Sequence, residues 1–129
     1  VRVRTVRSML AEEEIERNGR YDLVIGKFSP QTYRYEEGEK VGELSFQGNS
    51  FSYKVKEKWR GRAWEEELRF IQENGACPQP ILTGDTQLKI GENIVFIDRV
   101  EMIPISDKRF LRALENELGN YGILLRKKV

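Results

Sequence analysis

The sequence predicts an α+β domain with a largely antiparallel twisted sheet of about six to eight strands and two to three helices packed mainly on one face. Three observations carry that expectation. Gly48-Asn49 separates two segments that alternate apolar and polar residues, the pattern of a hairpin closed by a two-residue turn. Two stretches, 62–74 and 106–118, repeat apolar residues at helical spacing. The length of 129 residues, with 39% hydrophobic and 33% charged, suits one domain that hides roughly two thirds of its unfolded surface without a disulfide or structural metal. Residues 1–129 therefore read as a single compact domain, with no repeat, low-complexity tract or Gly/Ser linker.

Taken in order, Val1-Arg2-Val3-Arg4-Thr5-Val6 alternates and reads as a strand, although Val3, Val6 and Leu10 also share one stripe of a continuous helix. Ser8 to Arg17 has helix-forming composition and stops at Asn18-Gly19. Tyr21 to Phe28 holds Leu23-Val24-Ile25 between polar residues, a second strand ended by Ser29-Pro30. Tyr33 and Tyr35, followed by a Glu36-Glu37-Gly38 turn, suggest a further strand leading into the hairpin. Within Val41 to Lys56, counting outward from the turn pairs Phe46 with Phe51, Leu44 with Tyr53 and, on the opposite face, Glu43 with Lys54. Apolar then meets apolar and opposite charges meet, which fixes the register, because a slip of one residue exposes Phe51 and Tyr53.

A helix runs from about Arg62 to Asn74 on Trp64, Leu68 and Ile71, with Ala63 and Phe70 widening the stripe and Gly75 as the stop. Cys77-Pro78-Gln79-Pro80 is extended or turned, since proline restricts itself and its predecessor. Leu88 to Ile90, a Gly91-Glu92-Asn93 turn and Ile94-Val95-Phe96-Ile97 form a second hairpin; four apolar residues in a row suggest a central strand buried on both faces. Ser106 is an N-cap for a last helix through Leu118. Its Phe110, Leu111, Leu114 and Leu118 face the core, its Arg109, Arg112, Glu115 and Glu117 face water, and Gly119 ends it. Ile123-Leu124-Leu125 is a final strand, kept soluble by Arg126-Lys127-Lys128.

Composition excludes more chemistry than it suggests. With no histidine there is no Ser-His or Cys-His pair and no His-ligated zinc. A single cysteine, Cys77, excludes an internal disulfide and any multi-thiolate metal site. As a nucleophile that thiol needs a basic neighbour or a helix N-terminus, and its place before Pro78 favours an inert, half-buried group. No glycine pattern matches a phosphate loop, so Gly84-Asp85-Thr86 and Gly91-Glu92-Asn93 read as turns. No cofactor and no metal are expected. No apolar run reaches the roughly 18 residues that cross a bilayer, and Val1 to Leu10 lacks a signal peptide's apolar stretch. The chain is expected to be intracellular and cytoplasmic with no membrane partner, the lone thiol fitting a reducing compartment or an intermolecular bridge. Val1 at the start fits a processed chain or a piece of a longer one. High charge of both signs resembles the habit of proteins from hot environments, against which stand six asparagines and five glutamines.

Twenty-two Lys and Arg against 21 Asp and Glu give net +1, so an anionic partner has to be met by a local patch. The densest is Lys54, Lys56, Lys58, Arg60 and Arg62, with Trp59 and Trp64 beside it. Lysines at period two share one side of a strand, and cations with an aromatic platform are what single-stranded RNA or DNA requires, charges for phosphates and a ring face for bases. Lys54, Lys56, Lys58, Trp59, Arg60 and Arg62 are therefore the candidate nucleic-acid-binding residues. The competing explanation is structural: alternating lysines keep an exposed strand from aggregating, and Trp64 belongs to the helix core. A second class of function is an assembly or adaptor subunit, joining a partner or a second copy through Tyr33, Tyr35, Phe51 or Tyr53. A third is a metal-dependent enzyme using Glu65 or Glu66 with Asp98 and Glu101. The runs Glu12-Glu13-Glu14 and Glu65-Glu66-Glu67 are explained by the helix dipole, since consecutive glutamates on a helix point in different directions. Catalysis without histidine needs strongly shifted carboxylates, lysines or thiols, which ranks binding above it.

Overall fold

The computed structural model describes residues 9–16, 18–81, 87–96 and 99–128. Four strands, β1 (Arg20–Ser29), β2 (Arg34–Gln47), β3 (Ser50–Val55) and β8 (Ile123–Lys127), form an antiparallel sheet in the order β3-β2-β1-β8. Helix α1 (Ala63–Asn74) follows β3; after it come β4 (Ala76–Ile81), β5 (Gln87–Ile90), β6 (Asn93–Phe96), β7 (Arg99–Pro104) and helix α2 (Phe110–Gly119). β4 pairs with β7 and β5 with β6, each as a separate two-stranded sheet. The α+β class and the antiparallel pairing stand. The single sheet of six to eight strands does not, since the widest sheet among the described residues has four. Pro78 and Pro80 supply a reason: they share one side of β4, where neither offers an N–H, so that edge is closed to a further strand.

The hairpin pairs as the alternation requires, Phe46 with Phe51, Leu44 with Tyr53 and Glu43 with Lys54. β2 runs through Glu36-Glu37-Gly38, where a turn was expected, because Glu37 and Glu36 pair with Gly26 and Lys27 of β1 instead of reversing the chain. The register between β1 and β2 slips after Leu23, which faces Gly42 while Val24 faces Lys40, and slips again before Gly26. The first bulge sends Val41 into the core. Gly42 is held to glycine by crowding, since a Cβ there meets the Lys54 carbonyl oxygen at 2.4 Å.

The inward side of the large sheet, with Tyr21, Leu23, Leu44, Phe46 and Phe51, shares one core with Trp64, Leu68 and Ile71 of α1 and Phe110, Leu111, Leu114 and Leu118 of α2. Phe110 sits 5.9 Å from Phe46 and 5.8 Å from Phe51 between ring centroids, an arrangement that adds to area burial. α1 ends at Gly75, whose φ of 68° is the left-handed cap its sequence position suggests. Phe70, expected to widen the apolar stripe of α1, is instead 47% exposed.

Four further expectations are corrected. The stretch 9–16 is no helix; it contains a single 3-10 turn, Glu12–Glu14, because its backbone is claimed by side chains distant in sequence. Leu10 N–H donates to Glu115 Oε2 at 2.7 Å, Arg112 donates to the Leu10 carbonyl at 2.9 Å, and the Tyr21 hydroxyl donates to the Glu14 carbonyl at 2.6 Å. Glu115, expected in water, is fully buried to serve that contact. α2 starts at Phe110, well after Ser106, with the Asp107 carboxylate accepting from Arg109 N–H at 2.8 Å. β6 is no central strand among the described residues, since an apolar run says nothing of which strands pair with it. The strand expected over Val1 to Val6, with Gly84-Asp85-Thr86 and Asp98, lies outside the described residues.

Candidate nucleic-acid interface

The basic stretch leaves β3 at Val55 and turns. Lys54 is on the outward side of β3, Lys56 follows with its N–H on the Val41 carbonyl at 2.9 Å, and Lys58 and Trp59 belong to a 3-10 turn, Glu57–Trp59. The lysines therefore do not form one straight row, because the backbone stops being a strand between the second and the third. Arg60 to Arg62 then lead into α1.

These cations differ in how far their charge is already answered. Lys58 reaches Glu39 at 3.8 Å and Arg60 reaches Glu65 at 3.8 Å. Glu65 is buried and also accepts from Gly61 N–H at 2.7 Å, which ties the residue before the Arg62 N-cap to the first turn of α1. Lys54, Lys56 and Arg62 have no carboxylate at ion-pair distance among the described residues. For Lys54 this is a departure from the charge match across the hairpin. Glu43 sits opposite it in register but gives its carboxylate to Lys40, at 2.8 Å, and to Lys128. Hydrogen bonds from Lys128 and then Lys40 hold the Glu43 carboxyl down at about 2.

Trp59 is half-buried against the core, and its indole N–H donates to Glu39 Oε2 at 2.6 Å. The Arg62 guanidinium carbon lies 4.9 Å from its ring centroid and Lys58 Nζ 5.5 Å from it. The indole is thus a post for two cations. Trp64 is core, as its helical spacing implies.

The outward side of the large sheet is charged and polar. Asp22, almost fully buried, pairs with Lys40 at 3.2 Å and Arg126 at 3.0 Å, and Arg126 also reaches Glu37 at 3.3 Å. Burial raises Asp22, yet hydrogen bonds from Arg126 and Lys40 outweigh it and hold the carboxyl below its ordinary value. Next to this network a groove of about 230 Å³ opens over β1, β2 and β3, bordered by Arg20, Ser45, Ser52, Lys54 and Lys128, with Glu43 on its edge. Arg20, Lys128 and the two serines are functional candidates that sequence reasoning missed. The hairpin register already put Ser45 opposite Ser52, but Arg20 and Lys128 join them only through the pairing of β1 with β2 and β8, which no local pattern encodes.

Tyr33 is 65% exposed and Phe28 44% exposed at the β1–β2 tip, their rings 6.0 Å apart, while Tyr35 is buried beneath Phe28. Phe51 is buried and Tyr53 packs against the core, so neither is open to a partner as the assembly reading expected. Glu101 pairs with Arg109 at 3.0 Å and Glu65 is held as described. Among the described residues no group of three His, Cys, Asp or Glu side chains converges for a metal ion. Cys77 is fully buried, and burial, followed by the charges of Glu117 and Glu67, pushes its thiol up to about 12. It is protonated at neutral pH and shielded from another chain. Among the described residues no helix is long and apolar enough to cross a membrane. Compared with family models, with curated proteins and with solved structures, the chain matches none of them.

Proposed function

We propose that the protein is a binding module for single-stranded nucleic acid, with Lys54, Lys56, Lys58, Arg60 and Arg62 meeting phosphates. What supports this reading most is the state of the cations: Lys54, Lys56 and Arg62 lack carboxylate partners among the described residues, in a molecule where most charges of the sheet are paired. Arg62 over Trp59 favours a single strand, since a guanidinium plane carried on an aromatic ring is a surface on which an unpaired base stacks. A cytoplasmic setting goes with this reading, the lone thiol being buried and unbridged.

The test is fluorescence anisotropy of labelled single-stranded RNA, single-stranded DNA and duplex, titrated with protein at low and near-physiological salt. Single strands are expected to bind more tightly than duplex and to weaken steeply with salt. Replacing Lys56, Lys58 and Arg60 together by Ala is expected to flatten the plot of log affinity against log salt by about 2, since each phosphate contact contributes about 0.7. No binding at micromolar protein in low salt overturns the reading.

A second reading is a protein-assembly subunit, favoured by the exposed Phe28 and Tyr33 at one hairpin tip. Tyr33 also has a φ of 52°, a backbone region that costs a non-glycine residue about 1–2 kcal/mol and is often retained at functional positions. If this reading holds, light scattering gives a dimer or larger species that Tyr33→Ser returns to monomer. A monomer at all concentrations removes it.

A further inference from the structure

The outward groove on the large sheet brings together groups that the basic stretch does not include. Arg20 faces Ser45 across β1 and β2, and Ser45 faces Ser52 across β2 and β3. The Lys128 N–H bonds the Arg20 carbonyl at 3.0 Å, which puts Lys128 at the other end of the same row. One row crossing four strands thus presents an ammonium, a guanidinium and two hydroxyls at strand spacing of about 4.8 Å, with Lys54 beside Ser52 one step along β3.

Among the described residues the Arg20 guanidinium, the Lys54 ammonium and the Ser45 and Ser52 hydroxyls have no hydrogen-bond or ion-pair partner. Three cations and the Glu43 carboxylate border the groove, so two positive charges remain in excess. Glu43 does not spoil the site for an anion, because Lys40 holds the same carboxylate and continues to neutralise it when Lys128 turns away. Leu44 and Tyr53 complete the lining, and above them donors from a guanidinium, ammoniums and hydroxyls, with a net charge of +2, suit a tetrahedral oxyanion.

We infer that this groove is a phosphate site in which Arg20 and Lys128 bind the charge and Ser45 and Ser52 donate to the remaining oxygens. The inference extends the proposed function: the groove takes a backbone phosphate of the strand that the basic turn holds. Small phosphomonoesters share this chemistry, and two experiments separate the sources.

In the first, the backbone amides of Ser45 and Ser52 are followed by NMR while inorganic phosphate is added, with sodium chloride at matched ionic strength as control. Saturable shifts with phosphate alone, lost in Arg20→Gln, are expected. Shifts identical to those with chloride overturn the phosphate site. Arg20 is exposed and unpartnered, so this variant is expected to fold, which its amide spectrum reports. In the second, oligonucleotide affinity is compared for Arg20→Gln/Lys128→Gln and for Lys56→Gln/Arg62→Gln. If the first pair lowers the salt slope by about 0.7, one phosphate's worth, the strand crosses the groove. Loss confined to the second pair leaves the proposed function standing and overturns the groove as part of it. Loss confined to the first pair supports the groove and overturns the basic turn. Oligonucleotide binding unchanged by either pair overturns both, and the phosphate titration alone then decides whether the groove serves a small phosphate ester.

Discussion

The Glu117 carboxyl of α2 meets that of Glu67 on α1. Burial pushes Glu117 up, and the charge and hydrogen bond of Glu67 push it further. Burial followed by the charge of Glu67 likewise raises the nearby Tyr121 hydroxyl. A folded pKa above the unfolded value of about 4.3 means the native state holds a proton that the unfolded chain releases first. The associated stability is complete below the unfolded pKa and is lost as pH rises through the folded one. Glu117→Gln keeps the hydrogen-bonding shape and removes the charge, so its thermal midpoint is expected to exceed the parent's at pH 8 and to match it near pH 4. Calorimetry at the two pH values checks this, and an equal midpoint at pH 8 contradicts it. The sequence shows Glu117 only as a polar position on the wet side of a helical stripe. That α1 brings Glu67 to it is a tertiary fact, as is the burial of Glu115, two residues earlier.

At the scale of elements, legibility follows how local the determining interaction is. The β2–β3 hairpin was readable to the residue pair because turn chemistry and alternation both lie within Val41 to Lys56. α1 was readable because one stripe and one glycine define it. The segment 9–16 was misread for the complementary reason: a run of glutamates has good helix propensity worth a few tenths of a kcal/mol per residue, and three tertiary hydrogen bonds to Glu115, Arg112 and Tyr21 outweigh it. The same nonlocality hid half of the groove, whose Arg20 and Lys128 lie at opposite ends of the chain. The segment 9–16 is a strap tied to α2 by the Glu115 and Arg112 hydrogen bonds, and it makes its own prediction. Glu115 accepts from Leu10 N–H and from Arg112 at 2.7 Å. Glu115→Ala removes both acceptors and leaves the partly buried guanidinium with the Leu10 carbonyl at 2.9 Å and, as its remaining carboxylate among the described residues, the highly exposed Glu12 at 3.2 Å. The expected cost is about 3 kcal/mol, the low end for breaking a buried pair because Arg112 retains some solvent. Urea unfolding measures it, and limited proteolysis is expected to cut first near Leu10. A variant within 0.5 kcal/mol of the parent, an estimate of ordinary surface change, shows that the strap is not held this way.

For the molecule as a whole, a net charge of +1 conceals two opposed sets of ionisable groups whose balance sets the pH of greatest stability. On the sheet face and at the start of α2, Glu43 and Asp107 are each held down at about 2, and Asp22 is held low by Arg126 and Lys40 against the effect of its burial. For Asp107 the cause is first the Arg109 side chain and then its backbone N–H. These depressed carboxylates contribute stability that is present above their unfolded values of about 4 and is lost as pH falls through the folded ones. Glu117 acts in the opposite sense. The thermal midpoint is therefore expected to climb from pH 2, to peak in weak acid at about pH 5, and to decline toward pH 8, with no histidine to add a step near neutrality. Asp22→Asn is expected to flatten the acid limb alone, since it removes the charge that Lys40 and Arg126 share, while Glu117→Gln flattens the alkaline limb alone. Both variants moving the same limb contradicts the division. Added salt separates the limbs further: the partly exposed Glu43 and Asp107 pairs are screened more, and the nearly buried Asp22 pair much less. The part of the acid limb that survives salt is therefore expected to be the part that Asp22→Asn removes.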